Sequence, residues 1–165
     1  MLILSACSST EKPAAPDLKA DIAFAQKMVP HHEQALEMAK LVPSRSSDDK
    51  VRDLAQRIEK AQDPEITRMN SWLKEWGAPS MQDHSGHDMS GMMSGDDMAE
   101  LEKVTGAEFD QQWLDMMIKH HEGALEMAKT ELDQGKDAEA KKLAQAIIDG
   151  QQQEITEMKG LLQAR

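Results

Sequence analysis

The sequence predicts an all-α protein: an antiparallel four-helix bundle built from a duplicated helical hairpin. Composition is the first reason. The 165 residues contain no tyrosine, two phenylalanines and three tryptophans, and the abundant Ala, Leu, Glu, Gln, Lys and Met favour helices. An internal repeat is the second reason, because the ten residues from His31, HHEQALEMAK, return from His120 as HHEGALEMAK.

The repeat continues without a gap at the same offset, the 89 positions that separate His31 from His120. One helical hairpin cannot bury its own apolar face, whereas two hairpins together can. We therefore expect a short tether followed by a single domain. The predicted boundaries are 1–16 for the tether, 17–165 for the domain, 17–76 for repeat 1, 77–104 for a Met/His-rich linker and 105–165 for repeat 2. Further matching pairs are Asp21/Asp110, Met28/Met117, Leu54/Leu143, Ile58/Ile147, Gln62/Gln151, Glu65/Glu154, Ile66/Ile155, Thr67/Thr156 and Met69/Met158.

The first predicted hairpin contains two helices of roughly equal length. Helix one is expected from about Asp17 to Leu41, because a residue that precedes proline avoids the helical region and Pro43 follows closely. Ser47 or Asp48 is a suitable N-cap for helix two. We expect that helix to continue to Trp76 and to end at Gly77, a residue suited to a left-handed C-terminal position.

The second hairpin follows the same plan. Thr105 and Glu108 fit a capping box for helix three, which is expected to extend to about Leu132 and to stop near Gly135. Asp137 can cap helix four. The two halves should not be identical in geometry, because Pro30 and Pro64 lie inside helices one and two and proline disrupts a helix. The second repeat has Lys119 and Gln153 at those positions.

Each predicted helix carries one apolar stripe that must be buried. The stripes also contain polar residues, and a buried carboxylate without a partner is costly. Imidazole or a metal ion could provide that partner for the glutamates. The stripes comprise Asp21, Phe24, Met28, His31, His32, Ala35, Met38 and Ala39; Val51, Leu54, Ala55, Ile58, Gln62, Glu65, Met69 and Leu73; Asp110, Trp113, Met117, His120, His121, Ala124, Met127 and Ala128; and Ala144, Ile147, Gln151, Glu154, Met158 and Leu162.

All six histidines occur in three pairs, and a methionine lies three residues before the first histidine of each pair. Imidazole and thioether together suit copper, and Cu(I) in particular, better than magnesium, calcium or ferric iron. Two adjacent inward histidines that recur in both repeats favour metal ligation over an ordinary buried imidazole. The predicted ligands of the helices are Met28, His31, His32, Met117, His120 and His121.

Other residues of the stripes have simpler interpretations. A methionine on an apolar stripe usually fills space in the core, so Met38, Met69, Met127 and Met158 are packing residues first and possible ligands second. We interpret Glu65 and Glu154 as groups that orient imidazole N–H bonds, with direct ligation as the alternative. Asp21 and Asp110 are interpreted as polar residues near helix starts. Glu33, Glu37, Glu122 and Glu126 are expected to face solvent.

The linker between the repeats is rich in methionine and histidine but offers little that could form a core. Its Gly, Ser and Asp content indicates an exposed chain, and exposed thioethers gain nothing from burial. Metal binding therefore explains these side chains better than packing does. The predicted ligands of the linker are Met81, His84, His87, Met89, Met92, Met93 and Met98.

The amino-terminal segment Leu4-Ser5-Ala6-Cys7 resembles a bacterial lipobox, in which the cysteine receives a lipid. Ser8 to Pro16 would then be a polar tether. The alternative is an ordinary apolar start with an unpaired thiol. No second cysteine exists to form a disulfide. The net charge of −11 argues against nucleic-acid binding and would attract cations.

The two copies of Met-x-x-His-His-x-x-Ala-Leu-x-Met-Ala, Met28 to Ala39 and Met117 to Ala128, resemble the CopM-like bacterial copper-binding family, long known only as a domain of unknown function. The resemblance covers about Asp17 to the carboxyl terminus. It implies a secreted or lipid-anchored, ferritin-like four-helix bundle that binds copper and protects against it. It also implies a metal-binding role for the histidines and upstream methionines of both copies.

The function expected from these observations is Cu(I) sequestration, copper tolerance or delivery as a metallochaperone, in the periplasm or at the cell surface. Expected partners are copper ions and a copper exporter or another copper-trafficking protein; the membrane is contacted only through the lipid. A di-iron oxidoreductase is the enzymatic alternative, but such bundles use Glu-x-x-His motifs and this chain has Met-x-x-His instead. A bundle that binds no metal is the third alternative, and it leaves the linker methionines unexplained. We predict no enzymatic activity.

Overall fold

The computed structural model describes residues 17–80 and 89–164, which contain five helices and no strand. The all-helical prediction is therefore confirmed for this part of the chain. In chain order the helices are α1 (Lys19–Arg45), α2 (Asp49–Glu75), α3 (Gly95–Leu101), α4 (Gly106–Gln134) and α5 (Ala138–Gln163).

The four long helices form two hairpins, α1–α2 and α4–α5, and the hairpins pack against each other through α1 and α4. The buried indole Nε1–H of Trp113, early in α4, donates to the carbonyl of Met38, late in α1, at 3.0 Å. At the opposite end, the backbone N–H of Lys136, just after α4, donates to the Asp21 carboxylate at 2.9 Å. The two central helices therefore run antiparallel, so that repeat-related residues face each other near the middle.

Two of the three predicted N-caps of the long helices, and the predicted C-terminal glycine of α2, are as expected. The Asp48 carboxylate accepts the N–H groups of Lys50 and Val51 at the start of α2, and Asp137 caps α5 in the same way. Gly77 follows α2 with a φ of +68°, a left-handed conformation that glycine adopts without strain. The capping box predicted at Thr105 is wrong, because Thr105 is the N-cap of α4 but its side chain makes no capping hydrogen bond.

The predicted end of helix one is also wrong. α1 does not stop at Leu41 but continues through Pro43 to Arg45. Val42 is fully buried in the core, and its carbonyl accepts the backbone N–H of Ser46 at 2.9 Å. Tertiary burial of the last turn therefore outweighs the local preference of the residue before proline.

The short helix α3 was not predicted, because the composition around it indicated an irregular linker. Its start has a complete capping box: the Ser94 hydroxyl accepts the N–H of Asp97 at 3.1 Å, and the Asp97 carboxylate accepts the N–H of Ser94 at 2.9 Å. Leu101 at its end is fully buried. This apolar anchor and the cap hold part of the linker against the hairpins.

The predicted stripes are the buried faces of the long helices, with only Glu65, Met127, Glu154 and Leu162 partly exposed. The core contains two apolar clusters related by the repeat. Met28 and Met69 share one cluster with Ala124 and Ala128, while Met117 and Met158 share the other with Ala35 and Ala39. Each cluster thus joins the methionines of one hairpin to the alanines of the other. None of the described helices is long and apolar enough to cross a membrane.

Candidate metal centre

The four helix histidines lie where α1 and α4 cross, and all are buried, with at most 1% of the residue surface exposed. The rings of His31 and His120 are in contact, with centroids 3.7 Å apart and planes tilted by 34°. His121 is beside His120, at 6.4 Å between ring centroids. Antiparallel pairing of the two copies of the motif therefore produces one imidazole cluster from two distant parts of the sequence.

His32 and His121, here called the outer histidines, each have a glutamate partner from the second helix of their own hairpin. The distance from Nε2 to Oε2 is 2.8 Å both for His32 and Glu65 and for His121 and Glu154. The His32 and His121 side chains are fully buried, whereas the glutamates retain 20% and 15% of their side-chain exposure. Because an ionised carboxylate only accepts hydrogen bonds, each contact places a hydrogen on Nε2, and in the neutral imidazole the lone pair is then on Nδ1.

His31 and His120, here called the inner histidines, are held in the neutral form. Burial, aided by the repulsion that a protonated His32 would exert, lowers the pKa of His31 to about 3. Burial and the charge of His31 lower the pKa of His120 well below its usual value. Both rings therefore have a lone pair at neutral pH, the form in which imidazole binds metals.

Each histidine of the cluster has one buried ring nitrogen without a hydrogen-bond partner. A buried polar atom without a partner is costly and needs an explanation, and a bound ion is one explanation that suits the lone pair of a neutral imidazole. Imidazole nitrogens suit copper. The buried amides of Gln62 and Gln151, one helical turn before the glutamates, also contain atoms without a partner. The atoms are His31 Nδ1, His32 Nδ1, His120 Nε2, His121 Nδ1, Gln62 Nε2 and Oε1, and Gln151 Oε1.

The cluster does not form a closed coordination shell. In residues 17–80 and 89–164, no group of three or more His, Cys, Asp or Glu side chains is arranged to hold a metal ion. The rings of His31 and His120 lie too close to place an ion between their faces. At least one imidazole must rotate, or thioethers must complete the shell, before these residues bind an ion.

The structure separates the predicted methionine ligands into two groups. Met28, Met38, Met69, Met117 and Met158 are fully buried in the apolar clusters, while Met127 is partly buried at their edge. The linker methionines Met89, Met92, Met93 and Met98 line a cavity of about 530 Å³ beside α1. Met93 and Met98 also pack against an apolar cluster, so the expectation that the linker methionines contribute nothing to packing is wrong for these two. Met81, His84, His87 and Cys7 lie outside the described residues.

The cavity, here called the methionine pocket, is bounded on one side by the outer face of α1. Pro30, Glu33, Gln34 and Glu37 line that side, and the two glutamates are exposed as predicted. On the other side, the four methionines share the lining with Asp97 and Glu102. The pocket therefore combines soft thioethers with carboxylates that attract cations.

A short backbone segment joins the methionine pocket to the histidine cluster. The carbonyl oxygen of Ser90 lies 3.3 Å from Nε2 of His31. Gln34 holds the same segment through two hydrogen bonds with the backbone of Met93, of 2.9 and 2.8 Å. Sequence reasoning missed both contacts. The available signal was position 34, since Gln34 and Gly123 are the only difference between the two ten-residue copies.

Sequence reasoning also missed a buried acid pair at one end of the molecule. Asp21, taken as a polar residue at a helix start, is fully buried and accepts the N–H groups of Lys136 and Asp137. These hydrogen bonds lower the pKa of Asp21 although burial raises it. Glu131 is 1% exposed, and burial together with the neighbouring Asp21 raises its pKa to about 8.

This chain is similar to several known proteins. The family model described as "Domain of unknown function (DUF305)" matches residues 21–162. The crystal structure of a DUF305 protein from Streptomyces coelicolor, assigned as a secreted protein, is 33% identical to this chain. It covers 88% of this chain and 93% of its own length, with a TM-score of 0.82.

Solved structures of CopM are also similar. The Cu(II)-bound form is 31% identical and covers 87% of this chain and 96% of its own, with a TM-score of 0.77. The Cu(I)-bound form is 28% identical with a TM-score of 0.76, and silver-bound forms match as well. Uncharacterized protein L153 of Acanthamoeba polyphaga mimivirus is 45% identical over 56 residues, which span 34% of this chain and 37% of that protein. Because the family model covers most of the sequence and the copper-bound structures share its fold, this chain belongs to the CopM-like DUF305 family.

Proposed function

We propose that this protein binds copper outside the cytoplasm, capturing Cu(I) at the linker methionines and retaining it at the helix histidines. One observation carries the proposal: four buried histidines each have a ring nitrogen without a partner. The similarity to copper-bound CopM supports copper as the metal. Copper is here the cargo of the protein, and sequestration and delivery to an exporter or another trafficking protein are both compatible with this chemistry.

The preference for Cu(I) rests on the ligand types. Met89, Met92, Met93 and Met98 converge on one cavity, and thioethers select Cu(I) over harder ions. The glutamates are already engaged, since Glu65 and Glu154 each hydrogen-bond a histidine. The carboxylate ligands expected of a di-iron enzyme are thus used to orient imidazoles, which supports a binding role over an enzymatic one.

We further propose a ferritin-like four-helix bundle and a lipid anchor at Cys7. The two packed hairpins support the bundle assignment. The lipobox-like segment and the secreted Streptomyces relative support a location in the periplasm or at the cell surface. Replacing Cys7→Ser should move the protein from the membrane fraction to the soluble fraction of the producing bacterium. Retention of the variant in the membrane would contradict the anchor.

Anaerobic titration with Cu(I) against a chromogenic chelator tests the binding proposal. Wild-type protein should withdraw Cu(I) from the chelator, and conversion of Met89, Met92, Met93 and Met98 to Leu should reduce the number of ions bound. Leucine preserves the volume of methionine but removes the sulfur. The matched control is conversion of the buried Met69 and Met158 to Leu, which should leave the stoichiometry unchanged.

The histidines are tested in the same titration. Conversion of His31 and His120 to Asn preserves polarity but removes imidazole, and it should weaken the tightest site. Failure of the wild-type protein to compete for Cu(I) would overturn the proposed function. Tight Fe(II) binding with oxygen consumption would favour the di-iron alternative instead.

A further inference from the structure

The two repeats supply acceptors for His32 and His121, but only one linker exists to serve the inner pair. Glu65 accepts from Nε2 of His32 and Glu154 accepts from Nε2 of His121. The Ser90 carbonyl lies in the corresponding position on Nε2 of His31. A carbonyl oxygen can only accept, so this contact requires a hydrogen on Nε2. The lone pair of His31 is then on Nδ1, the atom that is buried without a partner.

The Ser90 carbonyl reaches His31 because the chain lies directly on the backbone of α4. A Cβ atom at residue 123 would lie 2.0 Å from the Ser90 oxygen, a distance that no real Cβ contact has. A Cβ atom at residue 91 would lie 2.6 Å from the carbonyl oxygen of Lys119 and 3.0 Å from that of His120. Gly91 also has a φ of +81°, which favours glycine. The contact therefore requires glycine on both sides.

The same segment is held from α1 by Gln34, which exchanges two hydrogen bonds with the backbone of Met93. Gln34 and Gly123 occupy equivalent positions in the two copies of the motif. The Gln34 side chain is long enough to hydrogen-bond the segment, whereas Gly123 has no side chain that could block it. The only difference between the ten-residue copies that begin at His31 and His120 thus fits them to the two sides of one linker.

We propose that Gln34 and Gly123 are positioning residues that seat the Ser90 carbonyl on His31, fixing the Nε2–H tautomer and presenting Nδ1 to the metal. The inference rests on the proposed function for its metal, but the positioning itself is a property of the metal-free protein. It assigns Ser90 the role at His31 that Glu65 and Glu154 have at the outer histidines. It also keeps the methionine pocket beside the imidazole that receives the ion.

The tautomer is measured by two-bond ¹H–¹⁵N correlation spectra of the imidazole rings in metal-free protein at neutral pH. Wild-type His31 should show the Nε2–H pattern. Gly123→Ala should displace Ser90 and give His31 a mixed pattern, and Gln34→Ala should act in the same direction through loss of both hydrogen bonds. His32 and His121 are internal controls, because their glutamates are untouched. Gly150→Ala is the matched glycine control, since a Cβ there meets nothing within 4 Å.

Copper affinity gives the second readout. Groups that orient a ligating histidine typically change metal affinity about 10- to 100-fold, so Gly123→Ala should weaken Cu(I) binding by about that factor while Gly150→Ala has no effect. An Nδ1–H tautomer of His31 in the wild type, or an unchanged tautomer in Gly123→Ala, would overturn the inference. If the wild type does not bind Cu(I), the proposed function fails, and the spectra of the metal-free protein still decide the positioning.

Should Gly123→Ala fail to fold, Gly91→Ala tests the contact from the other side. Its Cβ would meet the Lys119 and His120 carbonyls, so that the added methyl group is on the linker rather than on the long helix α4. Loss of the Nε2–H pattern at His31 is again the expected result. A folded Gly91→Ala protein that retains the wild-type tautomer and affinity would refute the role of the segment.

Discussion

The two copies of the motif, Met28 to Ala39 in α1 and Met117 to Ala128 in α4, are more alike in sequence than in surroundings. At the outer histidines the copies match closely, with the same 2.8 Å contact to a glutamate. At the inner histidines they differ, because the Ser90 carbonyl contacts His31. Duplication therefore supplied a symmetric set of imidazoles, and the linker made that set asymmetric on one side.

A second asymmetry lies at the end where α1 meets the turn between α4 and α5. Position 131 is a buried glutamate beside Asp21, whereas the equivalent position in the first repeat is the apolar Val42. The core stripes therefore preserve the symmetry of the duplication. The departures concentrate where one repeat contacts a segment that the other does not contact.

Substitutions at buried positions that the two repeats share should have the largest effects, and these effects should be equal in the two repeats. Met28→Ala and Met117→Ala each remove a fully buried side chain and should reduce the free energy of unfolding by about 2–5 kcal/mol. The Leu replacements should cost less than about 1.5 kcal/mol. Urea unfolding measures both values. Effects that differ strongly between the two positions would break the proposed equivalence of the two clusters.

Glu65 and Glu154 occupy equivalent positions in the two repeats and therefore allow a matched test of metal binding. Glu65→Gln and Glu154→Gln each replace the carboxylate that orients an outer histidine and should weaken Cu(I) binding about 10- to 100-fold. Competition with a Cu(I) chelator measures the loss. Glu59→Gln, at an exposed position of α2, is the control. A loss confined to one glutamate would show that only one outer histidine ligates the ion.

The acid pair should make the free energy of unfolding depend on pH, because Glu131 has no titratable counterpart at the equivalent position, Val42, of the first repeat. The pKa of Glu131 is raised to about 8 in the folded protein, so the folded state holds the proton more tightly than the unfolded state. Its stabilising contribution is complete below pH 4.5 and is lost as the pH rises through 8, by at most about 5 kcal/mol. Urea unfolding between pH 7 and 9, above the usual pKa of 6.5 at which the buried His31 and His120 affect stability, measures this slope, and Glu131→Gln should flatten it. A slope that persists in the variant would assign the pH dependence to another group.

The smallest effects are expected at the surface, where α2 and α5 are joined by ion pairs. Arg57 contacts Glu157, and Arg68 contacts Glu139, between side chains that are 40% to 54% exposed. Exposed pairs contribute about 0–1 kcal/mol. Arg57→Ala should therefore change the free energy of unfolding by less than about 1 kcal/mol and leave Cu(I) binding unaltered. A larger change would show that the pair supports the packing of the hairpins.

The periodicity of the sequence was sufficient to find the helices, their buried faces and the histidine cluster, because burial repeats every three or four residues along a helix. It was also sufficient to associate the glutamates with histidines, since a buried carboxylate needs a partner. Helix α3 was not predicted, because its N-cap Ser94 lies in a segment whose composition is typical of a linker. The end of α1 was misplaced because burial of Val42 outweighs the effect of Pro43.

The duplication, the residue types of the candidate ligands and the residues that face inward could be read from the sequence, because these follow from residue type and local spacing. The tertiary structure alone decided that His31 contacts His120, that Ser90 reaches His31 and that Glu131 shares a buried site with Asp21. Each of these contacts joins residues that are distant in the chain. They depend on the antiparallel packing of α1 and α4 and on the path of the linker, which local propensities do not encode.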